Sequence, residues 1–194
     1  MSIITQVLNW ISASLLLPDI ILLLAAFACS LVSLGEFFTS CFMLHTERRR
    51  QKALLARLRA GEAPSFDAAG GVLSGRLAEL ATLGWDELEC EKRIAEWQAA
   101  YDRELERHRF LVKVGPMLGL VGTLIPMGPA LAGLASGDIA NMAYNMQIAF
   151  ATTVVGCVVA GIGILITSVK RHHYAEEVAN LRYVLDRHLK EAVK

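Results

Sequence analysis

The chain has 194 residues, 54% of them hydrophobic, with a mean hydropathy of +0.43 and a formal net charge of zero. It is too apolar for an ordinary soluble domain. Its 19 basic and 19 acidic residues gather mainly in two blocks, 47–113 and 170–194, in which acids and bases alternate. No basic stripe results, so nucleic acid is not an expected partner.

Cys29, Cys41, Cys90 and Cys157 show neither CxxC spacing nor a histidine at metal-site spacing. They read as small apolar fillers, with no disulfide framework, metal site or cofactor expected. The five histidines sit in charged flanks, as the pair His172 and His173 does, and read as solvated. An enzyme would need a nucleophile, a metal cluster or paired acids converging at one depth, and no such pattern is visible. The chain is not expected to be an enzyme.

Residues 1–14 carry no lysine or arginine, and Trp10 suits headgroup level. Without a positive leading region or a small-residue cleavage site, a cleaved signal peptide is not expected. A first membrane helix is predicted over 15–44. Two acids touch it. Asp19, just after Pro18, is expected at the outer interface as a helix-start cap. Glu36 is expected deeper, either in an ion path or helix pairing, or at the inner interface.

The first span stops at HTERRRQK, which the positive-inside rule holds in the cytoplasm. The flanks RELERHRFLVK and KRHH agree, whereas the link between the later spans has only Asp138. Three spans follow, with the amino end outside and the carboxyl end cytoplasmic. The intervening cytoplasmic region, 45–108, reads as two helices broken by GEAPSFDAAGG. In the second of them Trp85, Leu88, Ile94, Trp97, Tyr101 and Leu105 fall near one packing face.

The most informative stretch is 110–169. A second span over 109–134, an outer loop over 135–141 and a third span over 142–169 form a hairpin, each arm long enough to cross a bilayer. On the third span Ala149, Thr153, Gly156, Ala160, Gly163 and Thr167 recur every three or four residues; on the second, Gly115, Gly119, Gly122 and Thr123 do much the same. Such narrow, hydroxyl-bearing faces suit either ordinary helix contacts or the wall of a pore. Beyond the hairpin, Tyr174, Val178, Leu181, Leu185 and Leu189 share one side of a predicted helix over 170–194. It either joins the cytoplasmic bundle or lies on the membrane.

The hairpin resembles the MotA, TolQ and ExbB family of ion-channel subunits. The likeness is carried by VGPMLGLVGTLIPMGPAL, with Pro116, Gly119, Leu120, Gly122 and Thr123 in the family's order. AFATTVVGCVVAGIG carries it too, with Ala149, Thr153, Gly156 and Ala160. The resemblance implies an all-α membrane protein with three transmembrane helices, long cytoplasmic helical extensions and a homopentameric assembly. It further implies a single-span partner bearing an intramembrane aspartate, and an ion-conducting stator-type subunit of a prokaryotic inner-membrane motor, surrounded by lipid, with the proton as the expected ion. Carried over by position, Thr123 and Thr153 are ion-pathway hydroxyls, with Thr152 an additional one. Gly119, Gly122, Gly156 and Ala160 form a close-packing pore face.

A threonine can orient water or ligate a cation but cannot trade protons at neutral pH. The hairpin holds no acid except Asp138 in its outer link, so the titrating carboxylate is expected from the partner. Three features depart from the family pattern. Pro126 stands where many members have glycine, and with Pro129 it predicts a kink. Ile162 replaces a common proline, and Ile148 replaces a glutamate found in some members. Without a long cytoplasmic domain of the sort that meets a flagellar rotor, the expected place is an envelope-energising branch of the family or one with some other load. The alternative is a non-conducting scaffold subunit of an envelope complex, held together by the same glycine faces.

Overall fold

The computed structural model describes residues 3–59 and 71–192. Most of the GEAPSFDAAGG break lies outside the described residues. Among the described residues four helices follow in order: α1 (Ile3–Arg59), α2 (Val72–Thr82), α3 (Glu87–Ser136) and α4 (Ile139–Ala192). Among the described residues there is no strand. Three of the helices are long and apolar enough to cross a membrane, α1 within Trp10–Ser40 together with α3 and α4. The protein is therefore an all-helical, multi-pass membrane protein.

The helix ends follow from local chemistry. At the hairpin turn Gly137 takes a φ of 77°, a left-handed conformation that only glycine adopts cheaply. That turn lets the Asp138 amide donate back to the Gly133 carbonyl at 2.8 Å, closing the end of α3. The Asp138 carboxylate then accepts the Asn141 amide at 3.0 Å and starts α4. Asp86 does the same for α3, accepting from the Glu89 amide at 3.0 Å.

The chain divides into two compact units. One comprises residues 1–35 and 107–167, the other 36–106 and 168–194. The second unit has a leucine-rich core: Leu73, Leu77 and Leu80 of α2 meet Ile94 of α3 and Leu181 and Leu185 of α4. Trp85, Trp97 and Tyr101 pack against it. The 170–192 segment is thus part of a helical bundle and does not form a separate amphipathic tail. Leu88 departs from the predicted stripe and is 77% exposed. Six residues before Ile94, it lies about a third of a turn away from the buried face.

A polar cluster crosses the same unit. Glu177, 2% exposed, accepts the Tyr101 hydroxyl at 2.7 Å and lies 3.1 Å from the Arg76 guanidinium. The ion pair is close but not aligned as a hydrogen bond. The Arg76 guanidinium also lies over the rings of Trp97 and Tyr101, 5.0 and 4.7 Å from their centroids. Tyr101 stacks on Tyr174 at 3.8 Å. Burial pushes the phenols of both tyrosines up, with Glu177 adding to the shift at Tyr101 and Glu104 at Tyr174. Glu104 accepts from Lys170 at 2.6 Å and from the Tyr174 hydroxyl at 2.8 Å, tying α3 to α4.

Candidate functional site in the membrane unit

The first unit is built on a seam between α3 and α4 in which glycines let the two backbones touch. A Cβ on Gly156 would lie 2.6 Å from the Gly115 carbonyl oxygen and 3.0 Å from the Gly119 Cα. One on Gly115 would meet the Gly156 carbonyl at 2.9 Å, and one on Gly163 would meet the Val112 side chain at 2.7 Å. These neighbours are mostly backbone and cannot rotate away, so the small-residue spacing read in the sequence is a packing requirement. Larger side chains point elsewhere: Met117, Leu120, Leu124, Phe150, Val154 and Leu165 are all exposed on the single chain, as lipid-facing residues are.

This seam determines where the predicted site residues go. Gly119, Gly122, Gly156 and Ala160 are buried within the protomer, and the three glycines meet partners in the same chain. The face expected to line a pore is, for these residues, occupied by the neighbouring helix of the hairpin. The hydroxyls divide between two environments. Thr153 is exposed, and its hydroxyl donates to the Ala149 carbonyl at 3.2 Å. Thr123 is half-buried and donates to the Leu120 carbonyl at 2.7 Å. The Thr153 Cα lies 3.4 Å from where a Cβ on Gly119 would be, and Thr123 is one turn further along α3 on the same row. The two threonines therefore border the seam without being consumed by it. Thr152 turns inward, is 7% exposed and donates to the Ala149 carbonyl at 2.9 Å.

α3 runs unbroken through Pro116, Pro126 and Pro129, with Pro126 fully buried. Each proline lacks the N–H that would close its turn, so the carbonyls of Val112, Gly122 and Ile125 lose their ordinary helical donor. Glu36 lies exposed on α1, in the other unit.

Asp19 departs most from expectation. Its helix begins at Ile3 and runs through Pro18, so Asp19 is not a cap. It is 5% exposed, and its Oδ2 lies 2.9 Å from the point a Cβ on Gly122 would occupy. The Thr152 hydroxyl oxygen is 2.8 Å from that same point. A carboxyl, a hydroxyl and a glycine from three helices thus converge inside one protomer. The titrating carboxylate is expected from a partner; α1 of this chain also brings one against the hairpin. The signal was present, since nothing between Ile3 and Asp19 except Pro18 opposes a helix, and Trp10 marks an earlier membrane entry. Starting the span at Trp10 would have placed Asp19 more than two turns inside it.

Among the described residues no group of three or more His, Cys, Asp or Glu residues is arranged to hold a metal. Of the cysteines, Cys90 is buried, while Cys29 and Cys157 are exposed.

A family model described as the MotA/TolQ/ExbB proton channel family matches residues 75–182, more than half of the chain. The chain belongs to this family. The match takes in most of α2, all of α3 and most of α4 and leaves out α1, the helix that carries Asp19. Neither the curated proteins nor the solved structures give a match. Membership makes the chain a proton-channel-type membrane subunit.

Proposed function

We propose that the chain is the ion-conducting subunit of an inner-membrane motor complex, with five copies enclosing a single-span partner and protons passing beside Thr123 and Thr153. The observation that carries this reading is the position of those two hydroxyls. In a channel-type subunit whose glycines are spent on internal packing, they are polar groups bordering the hairpin seam that remain available to another polypeptide. The orientation, amino terminus outside and carboxyl terminus cytoplasmic, follows from the basic flanks at 48–52 and 170–173. Each proton descending about 100 mV releases roughly 2.3 kcal/mol, enough to switch a helix contact between two states.

The reading is tested on the complex purified through a tag on this chain and reconstituted in liposomes. An imposed potential should drive proton flux. Thr123→Val with Thr153→Val should abolish it while five-fold assembly persists. The glycine seam itself favours one rival, a non-conducting scaffold, for which the double variant would keep full biological activity and the wild type would pass no protons.

A further inference from the structure

We propose that Asp19 is a proton-binding carboxyl built into each protomer beside Gly122 and the Thr152 hydroxyl, and that it relays protons along the ion path. The relay role rests on the channel reading above; the proton binding does not. At 5% exposure in a single chain, the group is buried without any neighbouring subunit. Its Oδ2 has no hydrogen-bond partner in the structure. It lies nine residues after Trp10 and 17 before Glu36, about 13 and 25 Å along the helix, so it sits inside the first span.

No countercharge is at hand. Apart from Asp19, the segments 1–35, 114–137 and 139–169 of the three helices contain no Asp, Glu, Lys, Arg or His. Gly122 of α3 and Thr152 of α4 lie against the carboxyl, and neither titrates in water's ordinary range. The other titratable side chains of these segments, Cys29, Tyr144 and Cys157, are exposed. A lone buried carboxylate is expensive in such surroundings, and the group escapes the cost by taking a proton.

The site also offers somewhere for that proton to point. The Thr152 hydroxyl hydrogen is directed at its own helix, which leaves the oxygen's lone pairs free to accept. Pro126 deprives the Gly122 carbonyl of its usual donor, leaving a second acceptor in the same turn. A sodium ion suits the site poorly. It needs several oxygens around a cavity, whereas even a methyl group on Gly122 would stand within 3 Å of Thr152 and Asp19 atoms. Small rotations of Asp19 between these acceptors and water would load and unload the proton with no other bond made or broken.

Infrared titration of the tagged complex in lipid tests the proton site. The wild type should show the carbonyl stretch of a protonated carboxyl at neutral pH, lost on alkaline titration and absent in Asp19→Asn. Asp19→Glu should retain it, and Thr152→Val should shift it. In liposomes, Asp19→Asn should lower proton flux at least tenfold, whereas the Thr123→Val, Thr153→Val pair should abolish flux and leave the band. If Asp19→Asn fails to assemble, Asp19→Glu and Thr152→Val carry the comparison through the band's position and midpoint. A spectrum without an Asp19-dependent band, a band that ignores Thr152→Val, or undiminished flux in an assembled Asp19→Asn complex would overturn the proposal. An Asp19 band in a wild-type complex that conducts nothing would leave proton binding standing and remove the relay, together with the channel reading.

Discussion

The two units of this chain are stabilised in opposite ways. In the bundle built from 36–106 and 168–194, large side chains fill space: leucines interlock, and a buried glutamate is met by a half-buried arginine and tyrosine. In the membrane unit, side chains are removed from the contact, and Gly115, Gly119, Gly156 and Gly163 bring backbone against backbone. The contrast follows from solvent. Burying a leucine away from water is worth about 1.5–3 kcal/mol, but lipid is as apolar as leucine, so helices there gain from close approach instead. The same logic makes a buried charge in the bundle call for a countercharge, and makes a buried carboxyl conspicuous in the membrane unit, where none is at hand.

The largest effect is expected from forcing bulk into the seam. Gly156→Val should separate α3 from α4, because its first atom would meet backbone at 2.6 Å; overpacking typically costs about 1–3 kcal/mol, and more where backbone must move. Loss of the detergent-stable protein, read by size-exclusion chromatography, is the expected outcome. Gly161→Ala, with nothing within 4 Å, should be indistinguishable from wild type in the same assay.

Next comes the bundle's buried pair. Arg76→Ala leaves Glu177 charged and without its countercharge at 3% side-chain exposure, with only the Tyr101 hydroxyl still donating to it, and should cost about 3–5 kcal/mol in denaturant titration. Arg76→Met with Glu177→Gln, which removes both charges, should recover most of that. A double variant no better than the single one would show that the arginine acts through its ring contacts instead.

How much of this was legible in the sequence depends on what each residue's role required. The glycine spacing revealed that two faces must be thin, because close approach leaves a mark at every third or fourth position. It could not reveal what lay opposite, and in the structure the opposite surface is the other arm of the hairpin. Thr152 and Thr153 are adjacent in sequence and turned about 100° apart on the helix. One faces inward and the other does not, a division fixed by packing rather than by either residue. Asp19 was misplaced because the helix start was set at the first dense apolar run, although α1 begins near the amino terminus. The aromatic stripe of α3 and the leucines of α4 were readable because their period survives intact in the fold, Leu88 excepted.

A smaller effect is expected from alkali. The Tyr101 and Tyr174 phenols are held above their ordinary value by burial and by Glu177 and Glu104, so the native bundle favours their neutral form. Their contribution is fully present below the unfolded value near pH 10 and is lost as pH rises toward the higher folded values. The bundle should therefore weaken above about pH 10. Tyr101→Phe should flatten that decline when melting temperature is followed against pH, and an unchanged slope would remove Tyr101 from it.

The central claim concerns what Thr123 and Thr153 face once subunits assemble. The structure of the complex in lipid, determined by electron cryomicroscopy, decides it most directly. The account predicts five copies around an enclosed helix, with both hydroxyls turned toward that helix. Threonines turned to lipid, or a ring with nothing inside it, would contradict it.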